Sequence, residues 1–375
     1  MIPQKEILNT FLALIKINGE SGNEINFAKY ISKELAQIGL DVHIDKANEI
    51  YHGNSGNVIA FYEGTNKNLP PIILSAHMDT IEPTTNINVI VEKNIIKTDG
   101  TTILGADDRS GIAAILEALK FIIKNDIPAP PIKVILTVAE EIGMYGSSFY
   151  EDKEPFAKYA FVFDSSADPG KIIVAAPTSK VIKIEVIGKS AHAAVHPEDG
   201  INAIKIAAMA ISKIKVGRIS PTCTANFGKI SGGKAVNIVP DLVSIDAEVR
   251  SLNNSEIDSK INEIKTAFNE AVNTFGGNYV INIKEKYPAF NIDENSPLIK
   301  LAKNALSELE LKPETIKFSG GSDANQFNAK GIPALNFGIG MKSVHSHKEY
   351  IDINHITMVA NAIIKIVENY TQIEL

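Results

Sequence analysis

The sequence predicts an α/β protein: a mixed, largely parallel sheet flanked by helices, with a smaller ferredoxin-like α+β domain inserted into it. Three observations carry that prediction. Short apolar runs without alternation, such as Ile72 to Leu74, recur between helical segments, as strands buried on both faces do. Between residues 179 and 288 the pattern changes to half-exposed, alternating strands. The length of 375 residues also exceeds what one core usually serves.

Taken in order, "MIPQKEILNTFLALIKINGE" is apolar at helical spacing. "SGNEINFAKYISKELAQIGLDV" predicts a helix, with Ser21 and Glu24 at capping-box spacing and Gly39 at its C-terminal end. "GNVIAFYEG" and "PPIILSAHMDT" predict strands, and "SGIAAILEALKFIIKN" a helix. "PIKVILTVAEEIGMYGS" and "YAFVFDSS" repeat the buried strand that ends in acidic residues. After Pro177, "KVIKIEVIG", "DGINAIKIAAMAISKIKVG", "TCTANFGKI", "DLVSIDAEVRSL", "SEIDSKINEIKTAFNEAVNTFG" and "NYVINIKEKY" read β-α-β-β-α-β. "PLIKLAKNALSELEL" and "GIPALNFGIG" then return to the first pattern. The expected organisation is a catalytic α/β domain over 1–178 and 289–375, with the inserted domain over 179–288.

Composition narrows the partners. Net charge is −7 with no basic block, which argues against nucleic acid. No window reaches the roughly 18 apolar residues of a membrane span. Cys223 is the only cysteine, so an intrachain disulfide is impossible, and with no secretory pattern at the N-terminus the expected compartment is the cytoplasm.

Ligands bind beyond the C-terminal ends of strands in open α/β sheets. His77, Asp107, the pair Glu140-Glu141 and Asp164 fall at or just after such ends, and His345 in "SVHSHKEYI" follows the last apolar strand. Each has an ordinary alternative: Asp107 can cap a helix, Glu140-Glu141 can start a solvated one, and Asp164 can make a turn. Their recurrence at successive strand ends points instead to a metal centre. Three carboxylates and two neutral histidines balance two divalent ions and a bridging hydroxide, as in two-metal hydrolases. Glu140 and Glu141 point in different directions on extended backbone, so one can bind metal while the other acts as general base. Asp79, two residues after His77, can accept the second imidazole N–H.

At this point the residues resemble the co-catalytic zinc exopeptidases that include peptidase T, carboxypeptidase G and the succinyl-diaminopimelate desuccinylases. The resemblance rests on "SAHMDT", "TTILGADDRSGIAAIL", "EEIGMYGS", "FVFDSS", "GKSAHAAVHPEDGINA", "GGKAVNIVPD", "EVRS", "FSGGSDANQF" and "VHSHKEYI", and spans essentially the whole chain. It is strongest to the peptidase T (tripeptide aminopeptidase) branch. It implies two Zn2+ per subunit, one bound by His77 and Asp164, the other by Glu141 and His345, with Asp107 bridging. Co2+ or Mn2+ would suit the same donors. It implies that Glu140 takes the proton of the bridging water and later protonates the leaving amine, that Asp79 orients His77, and that the Asp107-Asp108 peptide is cis. His345 rather than His347 is the ligand by the pattern His-Ser-x-x-Glu-aromatic, which leaves His347 without a role.

In the inserted domain the resemblance implies that His192, Asn237 and Arg250 contact substrate, and that this domain forms a homodimer. His192 could equally be a loop residue without a role, and Arg250 could pair with an acid of its own sheet. "SGGSD" at 319–323 could meet substrate through its backbone, although turn chemistry alone accounts for its glycines. Asp at 164 and "GADDR" around the bridge resemble aminopeptidases rather than deacylases. The expected activity is hydrolysis of the N-terminal residue from short peptides. A dizinc carboxypeptidase or N-acyl amino acid deacylase is the alternative, and a non-catalytic peptide-binding relic the second.

Overall fold

A computed structural model describes residues Met1–Gln372. The chain divides into two compact units. The first comprises Met1–Ala175, Asn291–Phe318 and the residues from Ser322 onward; the second comprises Ala176–Phe290 with Ser319–Gly321.

The first unit is built on a mixed sheet. At its centre Ile132–Thr137, Ile72–His77, Tyr159–Ser165 and Ala334–Gly338 lie side by side and parallel. Ile72–His77 and Ile132–Thr137 are buried along their whole length, which is why their sequences are apolar without alternation. The edge strands Val58–Tyr62 and Asp41–Ile44 are antiparallel and more exposed. Because the central strands run in one direction, the residues after His77, Thr137 and Ser165 emerge at one edge of the sheet.

The helix Ala106–Lys124 packs on this sheet with Ile112, Ile115 and Leu119 buried. Gly111 is required where it crosses the strand Tyr159–Ser165: a Cβ there would stand 2.1 Å from the Phe163 carbonyl oxygen. Its first turn is irregular. Asp107 and Asp108 depart from helical φ/ψ, the peptide between them is cis, and Gly105 before them has φ +71°. The helix Ile25–Gln37 ends as the sequence predicts, with Gly39 at φ +94°. Its start does not. Glu24 is the N-cap residue and makes no side-chain cap, while the Ser21 hydroxyl donates to Asp79 instead. The expected capping box is absent because both side chains are taken by partners distant in sequence.

The second unit follows the split β-α-β-β-α-β order. Asn278–Tyr287, Thr178–Ile187, Leu242–Ser251 and Cys223–Gly232 lie in that spatial order, all antiparallel, with the two-residue strand Gly217–Arg218 at the edge. Ile182, Ile184 and Val186 form the buried face, against Ile206, Ile257 and Phe268 from the helices Ala203–Ser212 and Asn254–Phe275. Unpredicted elements also appear in the first unit. A three-stranded antiparallel sheet joins Val89–Glu92, Ile95–Thr98 and Tyr350–Asp352, and Glu314–Lys317 pairs parallel to Lys171–Ala176.

Candidate metal centre

The acidic strand ends converge in the first unit. His77 is the last residue of its strand and is buried. Its Nε2 lies 3.1 Å from Asp107 Oδ1 and 3.5 Å from Asp164 Oδ1. Its Nδ1 lies 2.9 Å from the Asp79 carbonyl oxygen and 3.5 Å from the Asp79 carboxylate, so the shorter orienting contact is made by the backbone. On the other side of Asp107, His345 Nε2 lies 3.4 Å from Asp107 Oδ2 and 2.9 Å from Glu141 Oε1.

Two groups of donors follow: His77, Asp107 and Asp164, then Asp107, Glu141 and His345, each with its ligand atoms within 4.8 Å of one another. Asp107 belongs to both and offers one oxygen to each side. Imidazole and carboxylate donors of this kind suit divalent transition metals.

The electrostatics favour cations. Burial, then Asp164, pushes the Glu140 and Asp108 carboxyls well above their ordinary range. Burial raises Asp164 to about 8 against the pull of His77, and burial also raises Glu141. Burial works against a charged His77, but Asp164 and then Asp107 outweigh it and raise its pKa. His345 is raised to about 10, first by its hydrogen bond to Asp107 and then by that to Glu141. Burial would raise Asp107 too, yet the hydrogen bonds from His345 and His77 hold it well below the usual carboxylate range. Carboxylates outnumber the positive charge available to them, and divalent ions would supply it while displacing the imidazole protons.

Side chains outside the donor set fix the backbone. Glu349 was visible in the sequence only as part of a pattern. It accepts from the N–H groups of Leu104 (2.9 Å), Gly105 (2.8 Å) and Asp107 (3.1 Å), and so holds the turn that carries Asp107. Asp108 accepts from His77 N–H (3.3 Å) and Gly111 N–H (3.1 Å), tying the strand end to the helix start. The Asp79 carboxylate accepts from Glu140 N–H (2.9 Å) and Glu141 N–H (3.2 Å). Arg109 is buried with its guanidinium 3.3 Å from the Phe27 ring centroid. Its side-chain nitrogens have no hydrogen-bond partner among the described residues, and it feels the charges of Asp79, Asp108 and Glu24. His347 Nε2 lies 2.6 Å from Glu82, which gives it a partner that the sequence did not reveal.

The second unit places His192 and Asn237 at exposed positions and Arg250 on a partly buried strand face. His192 bridges to Ile238, and Ala193 N–H donates to the Asn237 carbonyl at 3.0 Å. The His192 Nδ1 accepts from the N–H groups of Ala194 and Val195, both at 3.2 Å. With Nδ1 taken as an acceptor, Nε2 is the nitrogen left to donate. Asn237 is exposed. Arg250 pairs through Nε with Glu248 on the same strand at 2.9 Å.

The profile of peptidase family M20/M25/M40 matches residues 73–369. The chain belongs to this family. The M20 peptidase is 38% identical to the Bacillus subtilis protein YqjE over 368 residues, covering 98% of this chain and 99% of that one. Its fold matches a tripeptidase from Staphylococcus aureus with a TM-score of 0.94, 36% identity and complete coverage of both chains. It matches aminopeptidase PepT from Bacillus cereus with a TM-score of 0.90, 34% identity and 99% coverage of both. The M20 peptidase is thus a metallopeptidase, similar over its whole length to proteins described as a tripeptidase and an aminopeptidase, and these neighbours support exopeptidase action on peptides.

Proposed function

We propose that this peptidase removes the N-terminal residue from short peptides, tripeptides foremost, at a centre of two zinc ions. The observation that carries this reading is Asp107, shared between two three-residue donor groups. The residues that would hold the ions are His77 and Asp164 on one side, Glu141 and His345 on the other, and Asp107 on both. Ions there would polarise the scissile carbonyl and make water more acidic.

Glu140 is the general base. It is buried, lies three residues past the strand end at Thr137, and is absent from both donor groups. It accepts a proton from the attacking water and delivers it to the leaving amine. Asp79 holds the Glu140 backbone and orients His77 through its carbonyl and carboxylate. His192, with Nε2–H outward, is assigned to a substrate carbonyl or carboxylate, and Asn237 and Arg250 to substrate positioning. A homodimer through the second unit and a cytoplasmic location complete the proposal. The solved relatives described as a tripeptidase and an aminopeptidase favour the amino-terminal direction of cleavage.

Glu140→Gln should keep both ions and lose about 10²–10⁴-fold in kcat. Free tripeptides assayed beside N-blocked ones test the direction of cleavage. Preference for blocked substrates would replace this reading with a carboxypeptidase or deacylase.

A further inference from the structure

The segment from Val138 to Tyr145 carries Glu140 and Glu141, so its backbone decides where both carboxylates stand. It holds two non-glycine residues in the left-handed region, Ala139 at φ 52° and Met144 at φ 55°. Such residues persist where surrounding contacts dictate the backbone. Those contacts come from far away in sequence. The Asn57 side chain accepts from Val138 N–H at 3.1 Å and donates to the Gly146 carbonyl at 2.9 Å. Glu24 accepts from Ala139 N–H at 3.1 Å, and Asp79 accepts from the next two N–H groups.

One buried acid at this place remains without a role in the centre. Asp323 opens the helix Asp323–Ala329, which Ser322 caps, and is 1% exposed. It belongs to neither donor group. Its two oxygens take different partners: Oδ2 accepts from the Thr137 hydroxyl and Oδ1 from the Ser147 hydroxyl. Thr137 is the last residue of the strand before the segment, and Ser147 lies in the short helix after it. A single carboxylate therefore grips both ends of the segment.

The choice of an acid is unfavourable on its own terms. Burial raises the Asp323 pKa, and Asp323 in turn opposes ionisation of Glu140 and Asp164. An asparagine could offer only one of the two acceptor oxygens. The symmetric grip is what the carboxylate provides over a neutral amide.

We infer that Asp323 is a positioning residue for the reaction: by bonding Thr137 and Ser147 together it fixes the segment that aims Glu140. This rests on the reading of Glu140 as general base. Displacement of a reacting group by about 1 Å can cost on the order of 10²-fold in rate, so loss of the grip should appear in turnover.

The test compares Asp323→Asn with the double variant Thr137→Val/Ser147→Ala, which removes the donors and keeps the acid. Each is made in the natural chain and in the Glu140→Gln background, and kcat, KM and bound zinc are measured. Both should lower kcat by about 10–100-fold, leave KM within about two-fold, and retain zinc. In the Glu140→Gln background neither should lower the residual rate further, because the group they aim is already gone. A structural defect unrelated to Glu140 would reduce both backgrounds by the same factor and overturn the inference. So would unchanged kcat, or a loss that follows zinc content. If Asp323→Asn does not fold, the double variant decides alone by the same criteria. Full turnover in Glu140→Gln by itself would overturn the base assignment, and this inference with it.

Discussion

The two units treat their charges in opposite ways. In the first, Asp107, Asp108, Glu140 and Asp164 converge behind buried strands, where carboxylates outnumber cations. In the second, Glu248 and Arg250 neutralise each other on one partly exposed strand face, and His192 stands in an exposed loop. The difference teaches where chemistry declares itself. An isolated unit has no reason to bury unbalanced carboxylates unless something else completes the charge. A satisfied surface pair announces nothing beyond itself.

The contrast can be broken most directly at Asp107. Asp107→Ala should abolish turnover and remove both ions, whereas Glu141→Ala should remove one, as read by metal stoichiometry after dialysis. Equal losses from the two variants would mean that Asp107 is not shared. Next in size is Arg109, the buried cation among Asp79, Asp108 and Glu24. Arg109→Met should lower unfolding stability in urea titrations of metal-free protein, because those acids lose a buried positive charge. Unchanged stability would show that those acids are compensated elsewhere.

Asp79→Asn should weaken metal affinity by about 10–100-fold in chelator competition, as loss of an orienting partner does. Undiminished affinity would assign the orientation of His77 wholly to the Asp79 carbonyl. The smallest effect belongs to the second unit. Glu248→Gln should change stability by less than about 1 kcal/mol, since the pair with Arg250 is about one-third exposed on both sides. A larger loss would bring that pair closer in kind to the buried centre.

Much of this was legible in the sequence, and the reason is periodicity. Strands buried on both faces, such as Ile72–His77, write themselves as apolar runs, and the acids that end them then stand out. His77, Asp164 and Glu141 stand at or shortly after such ends, whereas Asp107 sits in the first turn of the helix Ala106–Lys124 and His345 in a loop, and the five come together. The supports were harder to see. Ser21 and Glu24 have the spacing of a capping box, yet Ser21 bonds Asp79 and Glu24 bonds Ala139. Asp323 was hidden behind the glycines of "SGGSD", whose turn chemistry accounted for the stretch without it. The hairpin Val89–Glu92 and Ile95–Thr98 is short and half-exposed, so its pattern is weak. Local spacing reports which face a residue takes, while a hydrogen bond between residues a hundred positions apart leaves no mark on either neighbourhood.

The strand Ala334–Gly338 lies between Tyr159–Ser165 and Lys171–Ala176, although the whole second unit separates them in the chain. During synthesis the chain emerges in sequence order, so the gap beside Tyr159–Ser165 stays open while the intervening residues are made. The second unit has its own core and can condense in that interval. Sheet closure then waits for a late arrival, and His345 follows only a few residues behind it. Assembly of the centre thereby waits for the strand that seals the sheet: a product cut before Ala334 would leave the edge of Tyr159–Ser165 open and would lack His345.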